Sequence, residues 1–116
     1  MTSDPIPNVT DDSQWNSLSN GAWCHYENSV QNENVYGKLY NWFAVDDVRN
    51  VCPFGWHVLS DEEWLLLEGH LGSQAGNKMK RMTIWSNSVG GSNTSGFNGH
   101  PGGYRDDDGF LAIWVA

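Results

Sequence analysis

The hydrophobic and polar positions of the chain indicate short elements separated by long polar stretches. The clearest pattern follows Ser60, where Trp64, Leu67 and Leu71 recur at helical intervals, a spacing that places side chains on one face of a helix. Ser60 with the glutamate three residues later has the arrangement of a capping box, and Gly72 follows the last apolar position. We predict a helix between Ser60 and Gly72 whose apolar stripe faces a core.

The remaining elements are predicted to be short. Strands are predicted at residues 21–26, 56–59 and 110–116, helices after Asp11 and at residues 74–82, and loops at residues 27–35 and 83–103. Residues 36–45 fit either a strand or a helical turn, because periodicity does not decide over so short a run. This mixture predicts an α+β fold.

Composition and charge favour a loop-rich binding domain. The chain has 116 residues, which suffices for one core, with 7 Trp and 13 Gly. Its net charge is −8 with only 6 Lys and Arg, and the basic cluster is limited to Lys78, Lys80 and Arg81. A phosphate backbone requires more clustered cations than this. We therefore expect no nucleic-acid partner, whereas glycans, cationic groups and Ca²⁺ are compatible ligands.

The ends of the chain bear on its location. Residues 1–7 contain no apolar h-region, so we expect no signal peptide in this chain. No apolar run approaches the length of a membrane span, so we expect no membrane insertion. The composition is typical of secreted bacterial modules, which indicates an extracellular or cell-surface protein. Because residues 110–116 are apolar and the chain stops there, we expect it to be cut short at its C-terminus.

Several ordered segments resemble a known family. They are DPIPNV at residues 4–9, GAWCHY at 21–26, YGKLYNWFAV at 36–45, CPFGWHV at 52–58 followed by Asp61, Glu63 and Trp64, AGNKMK at 75–80 and PGGYR at 101–105. In this order they are similar to the Fibrobacter succinogenes major paralogous domain. The chain departs from that pattern at Leu59, where the family usually has Pro. We also expect the family's segment before Asp4, and the aromatic strands that normally follow Tyr104, to be missing.

The resemblance implies a C-type-lectin-like α+β fold related to the formylglycine-generating enzymes. Two short helices are then expected against small antiparallel sheets with long loops, in a single partial domain over residues 1–116. The family consists of secreted or surface-anchored bacterial proteins. We therefore expect a non-catalytic ligand-binding or adhesion module with a carbohydrate or protein ligand, and a homo-oligomer could complete its fold. The alternatives are a degenerate relative of the oxidising enzymes and a structural display module.

Trp85, Tyr104 and Arg105 are the candidate ligand-binding residues. Trp85 stands among Ser and Asn, and Tyr104 follows two glycines. Exposed aromatic faces stack on the apolar faces of pyranose rings by the burial that also fills a core. The alternative for Trp85 is a structural role in which the ring is tucked under its own loop.

Asp106, Asp107 and Asp108 are candidate Ca²⁺ ligands, because hard cations bind carboxylate oxygens. Three consecutive aspartates cannot all point inward, so a solvated Asp-Gly turn is the alternative. We expect no cofactor other than Ca²⁺, because the four histidines lack the spacing of a zinc site.

Cys24 and Cys52 leave two possibilities open. They pair with each other, or Cys52 is buried and reduced and its usual partner lies outside this chain. Neither cysteine lies in a context that matches the oxidising enzymes, so we expect no enzymatic activity.

Overall fold

The structure is a computed structural model that describes residues 5–49, 51–85, 90–106 and 109–111. Within these residues it is a small α+β fold with two antiparallel two-stranded sheets. The helices are α1 (Asp12–Asn16), α2 (Glu33–Tyr36), α3 (Trp42–Val45), α4 (Asp61–Leu71) and α5 (Ala75–Met79), and the strands are β1 (Trp23–Cys24), β2 (Leu39–Tyr40), β3 (Tyr104–Asp106) and β4 (Gly109–Leu111). The described residues form two compact units: unit 1 holds residues 5–58 and 102–111, and unit 2 holds residues 59–101.

Unit 1 is built around β1. This strand pairs antiparallel with β2, with Trp23 opposite Tyr40. The extended segment before α1 lies on its other side, where the Val9 amide donates to the Trp23 carbonyl and the Trp23 amide donates to the Pro7 carbonyl, both at 2.9 Å. The buried apolar side chains among the described residues, Val9, Ala22, Cys24 and Ala44, all belong to this unit.

Asn41 joins β1 to α3. Its Oδ1 accepts from the amides of Ala44 and Ala22, each at 3.0 Å, and its Nδ2 donates to the Asn20 carbonyl at 2.9 Å. The first of these bonds is an N-cap, which satisfies an amide that a helix start leaves without a partner. A Cβ on Gly21 would lie 3.1 Å from the Cα of Ala44. Glycine at this position therefore lets the two segments approach closely.

Unit 2 begins with the predicted capping box. Ser60 Oγ accepts from the Glu63 amide at 3.2 Å, and Glu63 Oε2 accepts from the Ser60 amide at 2.8 Å. Helix α4 ends at Gly72, whose φ of 69° favours glycine. The Lys78 ammonium of α5 donates to the carbonyl of Leu71, the last residue of α4. This bond ties the end of α4 to α5.

The segment from residue 90 returns alongside α5. The Gly91 amide donates to the Arg81 carbonyl at 2.9 Å, and the Gly99 amide donates to the Met79 carbonyl at 2.8 Å. A Cβ on Gly91 would lie 2.2 Å from the Asn77 carbonyl oxygen, a distance that no side chain tolerates. The contact between the two segments therefore requires glycine.

The two helix starts with capping residues are confirmed. Helix α4 has the predicted boundaries, and Asp11 Oδ1 caps α1 by accepting from the Gln14 amide at 2.7 Å. The apolar stripe of α4 is less deeply buried than the prediction of a core-facing stripe requires. Trp64 is exposed, Leu67 and Leu71 are half-buried, and no residue of α4 is buried.

Two other predictions are corrected. The predicted loop at residues 27–35 contains 3-10 turns and the start of α2, and the described residues 56–59 form no strand. Residues 36–45 contain both of the predicted alternatives, since β2 precedes α3. The strand predicted at residues 110–116 is seen at Phe110 and Leu111 only, and the rest lies outside the described residues. Segments of two to four residues are too short for a period to be read from sequence.

Candidate ligand-binding groove

An open groove of about 300 Å³ lies beside Trp85 in unit 2. We call it the Trp85 groove. Its lining combines aromatic, thioether and glycine surface with two basic side chains: Gly76, Met79, Lys80, Trp85, Phe97, Gly99 and His100. All of these residues belong to unit 2. A concave and largely apolar surface with a few polar groups is the usual character of a small-ligand site.

The Trp85 ring is fixed by its polar edge. Its Nε1–H donates to the Gly99 carbonyl at 3.1 Å, and the Lys80 ammonium lies 4.9 Å from the ring centroid. The residue before it, Ile84, has a φ of 67°. A β-branched side chain avoids this left-handed conformation, and such strain of about 1–3 kcal/mol clusters at functional sites.

Phe97 supplies a second aromatic wall and is 55% exposed. Its loop is ordered by side chains, since the Phe97 amide donates to Ser95 Oγ at 3.2 Å and the Asn98 amide donates to Asn93 Oδ1 at 2.7 Å. Its ring meets Trp64 edge-to-face with the centroids 6.4 Å apart. The aromatic surface therefore continues from the groove to α4.

A smaller cavity of about 220 Å³ adjoins the groove along α5. Gly76 and Met79 line both spaces, and Trp64, Leu67 and Glu68 line the second one. The carboxylate of Glu68 distinguishes this cavity from the Trp85 groove. The smaller cavity therefore carries a negative charge from Glu68, and the adjoining Trp85 groove carries a positive charge from Lys80.

His100 forms a polar end of the groove and is contacted by Arg81. Its Nδ1 lies 2.8 Å from the Asn98 carbonyl oxygen, which can only accept, so we assign the hydrogen to Nδ1. Its Nε2 then accepts from Arg81 Nη1 at 2.6 Å. Both nitrogens of this imidazole are engaged, and the guanidinium is held in a defined orientation beside the groove.

The sequence-predicted site residues do not all lie in this groove. Trp85 does, whereas Tyr104 and Arg105 belong to β3 of unit 1. Tyr104 is 43% exposed.

The side chain of Arg105 is buried inside unit 1, where it is 1% exposed. Its guanidinium donates to the carbonyls of Val9 and Thr10 at 2.9 and 3.1 Å. It also lies 4.6 Å from the Trp15 ring centroid and 4.8 Å from that of Phe110. The arginine therefore joins the two ends of the unit.

Of the candidate Ca²⁺ ligands, Asp106 ends β3, while Asp107 and Asp108 lie outside the described residues. Within the described part of the chain, no three His, Cys, Asp or Glu side chains come together as a metal site would require. The Ca²⁺ hypothesis therefore stays a prediction.

Both cysteines belong to the described residues of unit 1, and no disulfide joins them. Cys24 is buried, and this burial raises the pKa of its thiol above the ordinary value of 9.0, although a hydrogen bond from Arg105 acts in the opposite direction. A thiol in this state reacts slowly, because the thiolate is the nucleophile.

A separate charge network lies in unit 1. His25 is 6% exposed and donates from Nε2 to Glu33 Oε2 at 3.0 Å, while the Lys38 ammonium lies 3.1 Å from Glu33 Oε1. The hydrogen bond from His25 and then that from Lys38 lower the pKa of the Glu33 carboxyl. Lys38 also lies over the Trp23 ring, 4.6 Å from its centroid. This network stabilises the turn that enters α2.

Sequence reasoning missed the neighbours of Trp85, namely Met79, Lys80, Phe97 and His100. They become neighbours through the parallel bridge of Lys80 with Gly99, a single pair that leaves no periodic signal. The available signal was the basic cluster at residues 78–81, which is followed by a stretch without carboxylates up to residue 106.

Comparison with known protein families identifies the family of the chain. The family model for the Fibrobacter succinogenes major domain matches residues 1–113. No curated protein and no solved structure matches the chain. In the described part of the chain, no helix has both the length and the apolar character needed to cross a bilayer.

Proposed function

The chain belongs to the Fibrobacter succinogenes major domain family, and we propose that it is a non-catalytic binding module that holds a saccharide in the Trp85 groove. The observation that supports this most directly is the open groove itself, which presents the rings of Trp85 and Phe97 together. Pyranose rings carry apolar C–H faces, and burial of these faces on aromatic rings supplies binding energy. A volume of about 300 Å³ accommodates about one sugar ring at a time.

The groove is largely formed before any ligand arrives. The Trp85 indole is held by Gly99, and the loop that carries Phe97 is held by Ser95 and Asn93. A preformed site loses less conformational entropy on binding than a loop that must be ordered. The left-handed backbone of Ile84, next to Trp85, also supports a preformed site, since backbone strain persists where the surrounding structure imposes it.

The chemistry of the groove favours binding over catalysis. No carboxylate or thiol is found among its described lining residues, and both nitrogens of His100 are already engaged. General acid–base catalysis needs a group that can exchange a proton with the ligand. A degenerate oxidase is the alternative, and the burial of the Cys24 thiol gives it little support.

The family membership and the α+β architecture lead to a wider proposal. We propose a C-type-lectin-like fold and a location outside the cell or on its surface, where an adhesion module meets glycans. The resemblance of the ordered sequence segments and the loop-borne aromatic groove support this. Labelling of intact cells with a membrane-impermeant reagent tests the location, and labelling only after lysis would contradict it.

A binding assay on matched tryptophan variants tests the function. Calorimetry with a panel of plant and algal oligosaccharides should give heat with at least one sugar class. Trp85→Ala should weaken that binding by about tenfold or more, since aromatic stacking contributes about 1–3 kcal/mol to comparable ligands. Trp42→Ala is the control, because Trp42 is exposed in unit 1. Equal affinities of the two variants would refute the assignment of the site.

A second candidate is an assembly module, favoured by the exposed apolar residues of unit 1. Trp42, Phe54 and Trp56 each expose more than two thirds of their surface. Exposed apolar patches mark interaction surfaces, and identical chains associate readily. Sedimentation velocity over a range of concentrations should then show a homo-oligomer, and a monomer at every concentration would exclude this function.

A further inference from the structure

We propose that the Trp85 groove selects anionic saccharides, with the Lys80 ammonium as the partner of the ligand's carboxylate or sulfate group. The inference rests on the proposed saccharide binding and adds the charge of the ligand. It comes from the pairing of cations in the two units, from the distribution of charge along the chain, and from the position of Lys80 in the groove.

The cations of unit 1 are paired with carboxylates, and those of unit 2 have no such partner among the residues that the structure describes. In unit 1 every Lys and Arg has a carboxylate partner: Lys38 with Glu33 at 3.1 Å, Arg49 with Asp47 at 2.6 Å and Arg105 with Asp12 at 2.5 Å. In unit 2 the described carboxylates form no ion pair with Lys78, Lys80 or Arg81. The Lys78 ammonium donates to a carbonyl, the Lys80 ammonium lies over the Trp85 ring, and Arg81 contacts the His100 imidazole.

Within unit 2 the charges are separated along the chain, since its described carboxylates all belong to α4 and precede Lys78. Residues 69–101 contain no Asp or Glu and three of the six Lys and Arg, which gives this segment a charge of +3. The whole chain has a charge of −8, so the remaining residues carry −8 − 3 = −11. An anionic ligand is repelled by most of the protein and is attracted to this segment, because summed charges steer ligands over several ångströms.

Lys80 gives the groove a direct preference between neutral and anionic sugars. Its ammonium lies 4.9 Å from the centroid of the Trp85 ring and lines the groove. A neutral sugar that stacks on this ring displaces the cation and gains no ion pair. An anionic sugar offers the displaced ammonium a charge-assisted hydrogen bond, which is about twice as strong as a neutral one. The anionic sugar is therefore favoured at the same stacking position.

Arg81 strengthens the field at this end of the groove. Its Nη1 is held by His100 Nε2 at 2.6 Å, and its backbone is held by the Gly99 carbonyl at 3.0 Å. We assign Arg81 as a positioning residue, since it contacts the groove-lining His100 and is not itself part of the lining. Carboxylates and sulfates both satisfy this arrangement, so the shared chemistry is an anionic group on a sugar ring.

The experiment compares ligands that differ only in charge. Calorimetry on the wild-type chain should give a dissociation constant about tenfold or more lower for galacturonan oligomers than for the same oligomers as methyl esters. Binding of the acid form should weaken with added salt, which screens charges, while binding of the ester should change little. Sulfated galactan oligomers form a second arm and show whether carboxylate or sulfate is preferred.

Matched variants locate the effect. Lys80→Gln should abolish the preference for the acid over the ester, whereas Lys38→Gln removes the same charge from unit 1 and should retain it. A thermal melt verifies that each variant is folded, and the comparison of ligands on the wild type does not depend on any variant. Equal binding of acid and ester would overturn the charge preference and leave saccharide binding standing. Binding of oligo-aspartate as tightly as galacturonan would overturn the saccharide itself, and so would the absence of binding to every sugar.

Discussion

Arg105 offers the sharpest test of the packing in unit 1. The side chain of Arg105 is 1% exposed, and its guanidinium lies close to the rings of Trp15 and Phe110 and donates to the carbonyls of Val9 and Thr10. We expect the replacement Arg105→Met, which keeps much of the apolar stem, to lower the free energy of unfolding substantially.

The magnitude follows from what methionine cannot replace. The carbonyl of the buried Val9 would lose its donor, which costs about 1–3 kcal/mol. Two cation–π contacts contribute about 0.5–2 kcal/mol each. Methionine recovers part of this loss by packing against the two rings. The arginine also has a cost of its own, since its buried Nε has no hydrogen-bond partner among the described residues. The net loss is about 2–4 kcal/mol, a large share of the stability of about 5–15 kcal/mol typical of a small domain.

Urea unfolding monitored by tryptophan fluorescence measures the loss. With a slope of about 1–3 kcal/mol per molar urea, the midpoint should fall by about 1–2 M. Arg49→Met is the control, because Arg49 pairs with Asp47 at 2.6 Å but exposes 46% of its side chain. Exposed ion pairs contribute about 0–1 kcal/mol. If Arg105→Met lost no more stability than Arg49→Met, the buried arginine would not hold unit 1 together.

Three further predictions concern glycine, cysteine and pH. Gly91→Ala should lower the free energy of unfolding by about 3 kcal/mol, because the added Cβ has no space, whereas Gly69→Ala within α4 should raise it by about 1 kcal/mol. Thermal melts should therefore show a lower melting temperature for the first variant and a higher one for the second, and equal shifts would contradict the close contact at Gly91. Iodoacetamide should alkylate Cys52 faster than Cys24 in the folded protein, as followed by mass spectrometry, and both cysteines should react after unfolding. Equal rates in the folded protein would argue against the burial of Cys24. The pKa of Glu33 lies below its ordinary value of 4.5, so its carboxylate stabilises the fold above that pH and the stabilisation is lost as the pH falls through the lowered pKa. The melting temperature of Glu33→Gln should therefore change less over this acid range than that of the wild type, and parallel curves would contradict the network.

The parts of the fold that were predictable from sequence are those with local chemistry. Ser60 and Asp11 mark the starts of α4 and α1, because each side chain caps its helix by accepting from the amide three residues later. The degree to which α4 is buried was not predictable, because the spacing of Trp64, Leu67 and Leu71 defines an apolar face but not what covers it. The short α2 was missed for a related reason, since four residues make barely one helical turn.

The candidate site was predictable only at its centre. Trp85 stood out because an aromatic residue in a polar loop needs an explanation. Phe97 and His100 join it through the backbone bridge at Lys80 and Gly99, which depends on the path of residues 90–101. The buried position of Arg105 could not be read from sequence, because its partners Val9 and Trp15 lie about ninety residues earlier in the chain.

The contact between Arg105 and Val9 spans 96 positions, and it sets an order of events during translation. The nascent chain exposes Trp15 long before the ribosome adds the arginine and Phe110 that lie against it. All contacts of the Trp85 groove, in contrast, lie within residues 59–101. Contacts between distant residues form slowly and local ones form quickly. Unit 2 can therefore fold while Trp15 of α1 still lacks its contact with Arg105.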